Sequence, residues 1–144
     1  MDEFQRVEDW ELLAQFSQAY RSLSDALMDQ IELHRSQAMA LCKLFAQDGV
    51  TQTELAQQLS LQGATVTDML QRMEESGLVA RRRDSEDNRL VRVYLTEAGR
   101  EKERFIRDQF LILEAKVFAN FDEDERFMLR QLLNRAVENI NYKQ

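Results

Sequence analysis

The 144-residue chain contains no proline, one cysteine, one histidine and four glycines. Each scarcity excludes something. Cys42 alone cannot build a disulfide framework or a multi-cysteine metal site, and His34 alone cannot supply a two-histidine site, so neither metal nor cofactor is expected. With no proline, and glycine confined to positions 49, 63, 77 and 99, a chain rich in Leu, Gln, Glu, Ala and Arg has few backbone breakers and should be mostly helical. No segment approaches the run of about 18 apolar residues that a membrane helix needs. The opening Met1-Asp2-Glu3-Phe4-Gln5-Arg6 has neither a basic leader nor an apolar signal core, which predicts a soluble, cytoplasmic protein without membrane contact. A paired-carboxylate or nucleophile–base spacing and a glycine-rich phosphate loop are also missing, which argues against an enzyme.

What is present is 44% apolar residues, enough for one compact core, and a net charge of −7. Acidity argues against nucleic acid, because Lys and Arg neutralising phosphate drive most nonspecific binding. Its distribution changes the picture. Residues 79–95 hold five arginines (81, 82, 83, 89 and 92) against Asp84, Glu86 and Asp87, a local charge of +2 on an acidic body.

From Val7 to Ile31 the residues Trp10, Leu13, Phe16, Tyr20, Leu23, Leu27 and Ile31 recur at steps of three and four, predicting a long first helix. A fringe of Leu12, Ala19 and Met28 widens its apolar stripe enough for two neighbours. A second helix is expected from a cap at Ser36 to the stop at Asp48-Gly49. Thr51-Gln52-Thr53-Glu54 reads as a capping box opening a short helix to Leu59. After the turn Ser60-Leu61-Gln62-Gly63, residues 64–75 resume the helical period, with Val66, Leu70 and Met73 inward and Gly77 closing the helix. The period then becomes two over 78–81 and 90–95, so a β-hairpin with a charged stretch, 82–89, is expected. Thr96 caps a helix to about residue 119, and Asp122 with Glu125 caps a last one bearing Phe127, Leu129, Leu132, Leu133, Ala136, Val137 and Ile140.

A helix-turn-helix followed by a two-stranded wing fits DNA physically: a helix fills the major groove, and a narrow hairpin reaches the adjacent minor groove. Five stretches carry a resemblance. Gly77-Leu78-Val79-Ala80-Arg81-Arg82, Asp84-Ser85-Glu86-Asp87-Asn88-Arg89 and Val93-Tyr94-Leu95-Thr96-Glu97-Ala98-Gly99 resemble the wing of the MarR family of bacterial transcription regulators. Thr51-Gln52-Thr53-Glu54-Leu55-Ala56 and Ala64-Thr65-Val66-Thr67 resemble that family's two helix-turn-helix segments.

The resemblance implies a mainly α fold with a small β-hairpin wing, in which a winged helix-turn-helix at 35–99 sits in a single 1–144 MarR-like domain. Helices within 1–34 and 100–144 then form a dimerisation region. It further implies a homodimer that reads a pseudo-palindromic operator on double-stranded DNA, usually as a repressor, and responds to a small aromatic or other organic effector. Arg89 matches the family's minor-groove arginine, with Asp87 orienting it. Asn88 stands where many relatives carry a second arginine. On the recognition helix Gln62, Ala64, Thr65, Thr67, Asp68, Gln71 and Arg72 are left to face DNA, and on the wing Arg81, Arg82, Arg83, Asp87, Asn88, Arg89 and Arg92. Tyr20, Arg21 and His34 are candidates for an effector pocket.

Several residues carry two readings. Arg81, Arg82 and Arg83 are either phosphate ligands or a charged strand edge that prevents pairing. Asp68 is either a solvated helix charge or an acceptor for a cytosine amino group. Cys42 either packs or senses oxidant, and His34 either ends a helical hairpin or titrates. The whole chain carries an alternative as well: a winged helix that docks protein and no longer binds DNA, favoured by the net charge, Asp68 and Asn88.

Overall fold

A computed structural model describes residues 7–142. The elements run α1 (Asp9–Asp29), α2 (Arg35–Ala46), α3 (Gln52–Leu59), α4 (Gly63–Glu75), β1 (Val79–Arg83), β2 (Val91–Leu95), α5 (Glu97–Val117) and α6 (Glu123–Asn141). Two compact units divide between Phe110 and Leu111. The helix-turn-helix and its wing lie wholly in the first.

Local signals set most boundaries. The Thr51 hydroxyl accepts from the Glu54 amide at 3.1 Å and the Glu54 carboxylate accepts from the Thr51 amide at 3.0 Å, the capping box expected for α3. Asp122 and Glu125 make the same reciprocal pair before α6. The second helix begins at Arg35, capped by His34 rather than by Ser36. The physical reason is Gln37, whose Oε1 accepts the His34 amide at 3.2 Å and so starts the helix earlier. The first strand also differs from expectation, continuing through Arg83 because Arg82 pairs with Arg92 and Arg83 with Val91. Backbone register, not apolar alternation, decides where the hairpin stops.

The core of the first unit gathers Met28, Leu41, Leu44, Leu55, Val66, Leu70, Met73, Val79, Val93 and Ile106, all less than 2% exposed. Helix, turn, helix and wing base therefore share one apolar centre, as expected of the inward positions Val66, Leu70 and Met73. Gln109, buried on α5, donates to the Leu27 carbonyl at 2.5 Å and ties α5 to the end of α1. The segment after α2 works as a third edge of the hairpin: the Gly49 amide donates to Val93 O at 3.0 Å, and the Val93 amide to Val50 O at 2.9 Å.

Gly99 marks the tightest packing against the wing base. A Cβ placed there would lie 2.1 Å from the Leu78 carbonyl oxygen. That oxygen accepts the Thr96 amide at 3.1 Å, while the Thr96 hydroxyl accepts from the Gly99 amide at 3.0 Å. The first turn of α5 cannot retreat without breaking its own cap. Gly99→Ala should therefore destabilise the protein by about 3 kcal/mol and lower its melting temperature by roughly 5–10 °C. Thermal unfolding by circular dichroism measures this, and an unchanged midpoint would show that the close approach is relieved at no cost.

Outside this centre, much apolar surface is uncovered. Trp10, Leu13, Phe16 and Tyr20 on α1 are exposed, and α6 has no buried residue although Phe127, Leu133, Val137 and Ile140 recur along it. Among the described residues no helix is long and apolar enough to cross a membrane.

Candidate nucleic-acid interface

The second helix of the helix-turn-helix displays the residues that its periodicity assigns to the outer face. Gln62, Ala64, Thr65, Thr67, Asp68, Gln71 and Arg72 are all exposed, while Val66, Met69, Leu70 and Met73 are buried. Gln62 occupies the N-cap of α4 without a side-chain capping bond, leaving its amide in solvent. Ser60, at φ 55°, takes the left-handed conformation that turns the chain between the two helices.

Thr67 is already engaged. Its hydroxyl donates to the Gly63 carbonyl at 3.0 Å and accepts from Gln52 Nε2 at 2.6 Å. Gln52, at the first helical position of α3, is not among the residues that sequence reasoning singles out. The signal available is its place beside the Thr51 cap, where a long polar side chain has no apolar duty.

The five arginines of the wing divide into two kinds. Arg81 is half-buried: its amide donates to Glu74 Oε2 at 3.0 Å and its guanidinium to Oε1 at 3.3 Å, tying the strand to the end of α4. The Arg81 amide, with the guanidinium behind it, holds the Glu74 carboxyl below its ordinary value. Arg92 is also half-buried; its Nε donates to Asp84 and its Nη1 to the Gly49 carbonyl at 2.9 Å. Arg82 and Arg83 are exposed, with Arg82 lying 5.7 Å from the Tyr94 ring centre and Arg83 Nη1 donating to Asn88 O at 2.9 Å.

Arg89 stands out in solvent, its side chain 89% exposed. Asp87 grips it bidentately, with Nε on Oδ1 at 3.0 Å and Nη2 on Oδ2 at 3.1 Å, while the Arg89 amide donates to the same Oδ1. This pairing holds the Asp87 carboxyl below its usual range and pushes the Arg89 guanidinium up, so both remain charged. Two parallel bonds fix the direction of the guanidinium as well as its charge. A cleft of about 490 Å³ runs from Arg89, Leu90 and Val91 to Gln52, Gly63 and Thr67, so wing tip and helix-turn-helix border one groove.

His34 lines a smaller cleft of about 290 Å³ with Ser36, Gln37, Thr65, Asp68, Met69 and Arg72. The family resemblance groups His34 with Tyr20 and Arg21. Those two are exposed on α1, where the Tyr20 ring lies 6.2 Å from that of Phe16, and they do not line this cleft. Cys42 is half-buried on α2, and burial pushes its thiol up, which suits packing more than reactivity. Among the described residues no group of three His, Cys, Asp or Glu side chains is placed to hold a metal ion.

Comparison with known proteins follows the same outline. The MarR family model matches residues 33–91. The HTH-type transcriptional regulator YwoH of Bacillus subtilis is 31% identical over 118 residues, spanning 80% of this chain and 85% of YwoH. The chain belongs to the MarR family. YdgJ, another B. subtilis HTH-type transcriptional regulator, is 34% identical over 117 residues, spanning 76% of this chain and 66% of its own. For two further curated relatives the match spans half or less of their length, 50% and 42%. Among solved structures, S. aureus MepR in a DNA complex superposes with a TM-score of 0.83 at 24% identity, covering 93% of this chain and 99% of MepR. The MarR match takes in α2, α3, α4 and β1 and ends at the first residue of β2, so the helix-turn-helix and the wing tip lie inside it while α1, α5 and α6 flank it.

Proposed function

We propose that this MarR-family protein is a DNA-binding transcription regulator, a repressor that binds a pseudo-palindromic operator as a homodimer. The observation that carries this reading is Arg89, oriented by Asp87 and held out in solvent beside the exposed face of α4. An arginine presented in this way is drawn into the concentrated negative potential of a narrow minor groove, while α4 enters the neighbouring major groove. Thr65, Thr67, Gln71, Arg72, Gln62 and Ala64 then meet bases and phosphates, with Arg82 and Arg83 on the backbone beside the wing. That MepR, of the same fold, was solved with DNA supports the assignment.

The uncovered apolar residues of α1, and separately those of α6, support the dimer, since an apolar helix stripe of that kind calls for a partner. A small aromatic or other organic effector acts by favouring a dimer whose two α4 helices are wrongly spaced for successive half-sites, so that operator binding loses that free energy. Tyr20, Arg21 and His34 remain the candidates for contacting it.

Fluorescence anisotropy with the duplex upstream of the protein's own gene tests the reading. Binding should exceed that of a scrambled duplex and weaken steeply with salt, by a log–log slope of about −0.9 per phosphate contacted. A second reading, a winged helix that docks protein, is favoured by the net charge of −7 and by Asp68 on the outer face of α4. Equal, weak binding to both duplexes even at low salt would select it.

A further inference from the structure

The five arginines of the wing look alike in sequence, yet two of them, Arg81 and Arg92, are built into the fold. Arg92 reaches in two directions from the second position of β2: Nε to the Asp84 carboxylate and Nη1 to the Gly49 carbonyl at 2.9 Å. Asp84 is equally committed. Its Oδ1 accepts the amides of Glu86 at 2.8 Å and Asp87 at 3.0 Å, and its own amide donates to Leu90 O at 2.9 Å, so it organises the loop from which Arg89 projects. The Arg92 bond, followed by those two amides, holds the Asp84 carboxyl down to about 2, which keeps it charged at any ordinary pH. At the other end of the guanidinium, Gly49 takes a φ of 76°, and a Cβ there would lie 2.9 Å from the Tyr94 ring. Two residues further on, Thr51 caps α3. Asp48 adds a second strap, accepting the Leu95 amide at 2.8 Å and Arg100 Nη2 at 2.7 Å.

We propose that Arg92 and Asp84 are positioning residues that lock the wing tip to the start of the helix-turn-helix, fixing the spacing between Arg89 and the exposed face of α4. The effect on DNA rests on the regulator reading above; the lock itself does not. An Arg92 that neutralises Asp84 and spends two donors inside the protein adds little field toward phosphate, so its value lies in geometry. Two consequences oppose simple electrostatics. Arg92→Lys keeps the charge but loses the planar fork that joins carboxylate to carbonyl. Asp84→Asn removes a negative charge close to a polyanion, which on charge alone would tighten binding.

Operator affinity is measured for wild type, Arg92→Lys, Arg92→Gln and Asp84→Asn, each corrected to its folded, binding-competent fraction so that lost stability does not register as lost affinity. The lock predicts that all three variants bind roughly tenfold more weakly, with the salt slope unchanged. If Arg92 is instead a phosphate ligand, Arg92→Lys binds nearly as wild type and Arg92→Gln lowers the slope by about 1. Either that pattern or tighter binding by Asp84→Asn overturns the proposal. Hydrogen exchange separates it from the regulator reading. In Arg92→Lys, amides across residues 84–91 should exchange about tenfold faster, while α5 amides keep their protection. Unchanged exchange there refutes the lock whether or not DNA binds, and wild-type protein that binds no operator refutes the regulator reading alone. If Asp84→Asn loses helix content, the gentler Arg92→Lys decides.

Discussion

Arg89→Ala is expected to weaken operator binding roughly 10- to 100-fold per dimer, about 1.4–2.7 kcal/mol, while leaving fold and assembly unchanged. The size follows from where the side chain is. At 89% exposure Arg89 contributes nothing to the core, and its partner Asp87 is a surface carboxylate. Deleting it removes an exposed ion pair worth little to stability. In a bound dimer, though, it removes two guanidiniums, each entering a groove where negative potential is concentrated. Anisotropy titration at fixed salt, with a melting curve beside it, makes the comparison. Affinity within a factor of two of wild type would mean that the wing tip stays outside the groove. Arg83→Ala provides a scale: an exposed arginine on the backbone side should cost less and should reduce the salt slope by about 1.

The second large effect concerns assembly. Leu133 and Val137 stand one turn apart on α6, a helix without a single buried residue. Leu133→Asp with Val137→Asp should convert the proposed dimer to monomer and reduce operator affinity roughly 100- to 10,000-fold, because the second half-site is then no longer held at high effective concentration. The winged region should still fold, since its core, from Met28 to Ile106, draws no residue from α6. Sedimentation equilibrium reports the mass and anisotropy the affinity. A variant that remains dimeric would place the interface elsewhere, and a wild-type monomer that still bound the full operator tightly would remove the dimer from the mechanism.

Features carried by neighbouring residues are legible in the sequence alone. Thr51 with Glu54 and Asp122 with Glu125 are three apart, so sequence contains both halves of each capping box. Val66, Leu70 and Met73 follow from a period, and the exposed face of α4 is its complement. Sequence places the start of α2 too late because Ser36 is the better capping residue in isolation, whereas Gln37 makes His34 the working one. What sequence cannot sort is the arginine cluster. Arg81 is held by Glu74 on α4 and Arg92 by a carbonyl 43 residues away at Gly49, while Arg89 is held by Asp87, two residues back. Residues of one type and one apparent purpose thus divide according to contacts that exist only after the helix-turn-helix has packed on the hairpin. Gln52 escapes for the same reason, since its partner Thr67 lies in the next helix.

Chemical footprinting of the upstream operator tests the central claim most directly. Guanine N7 methylation reports the major groove and adenine N3 methylation the minor groove. A winged dimer predicts two major-groove patches protected about one helical turn apart, each beside a protected minor-groove segment, with only the minor-groove protection lost in Arg89→Ala. Uniform or absent protection, or a minor-groove pattern that survives the loss of Arg89, would contradict it.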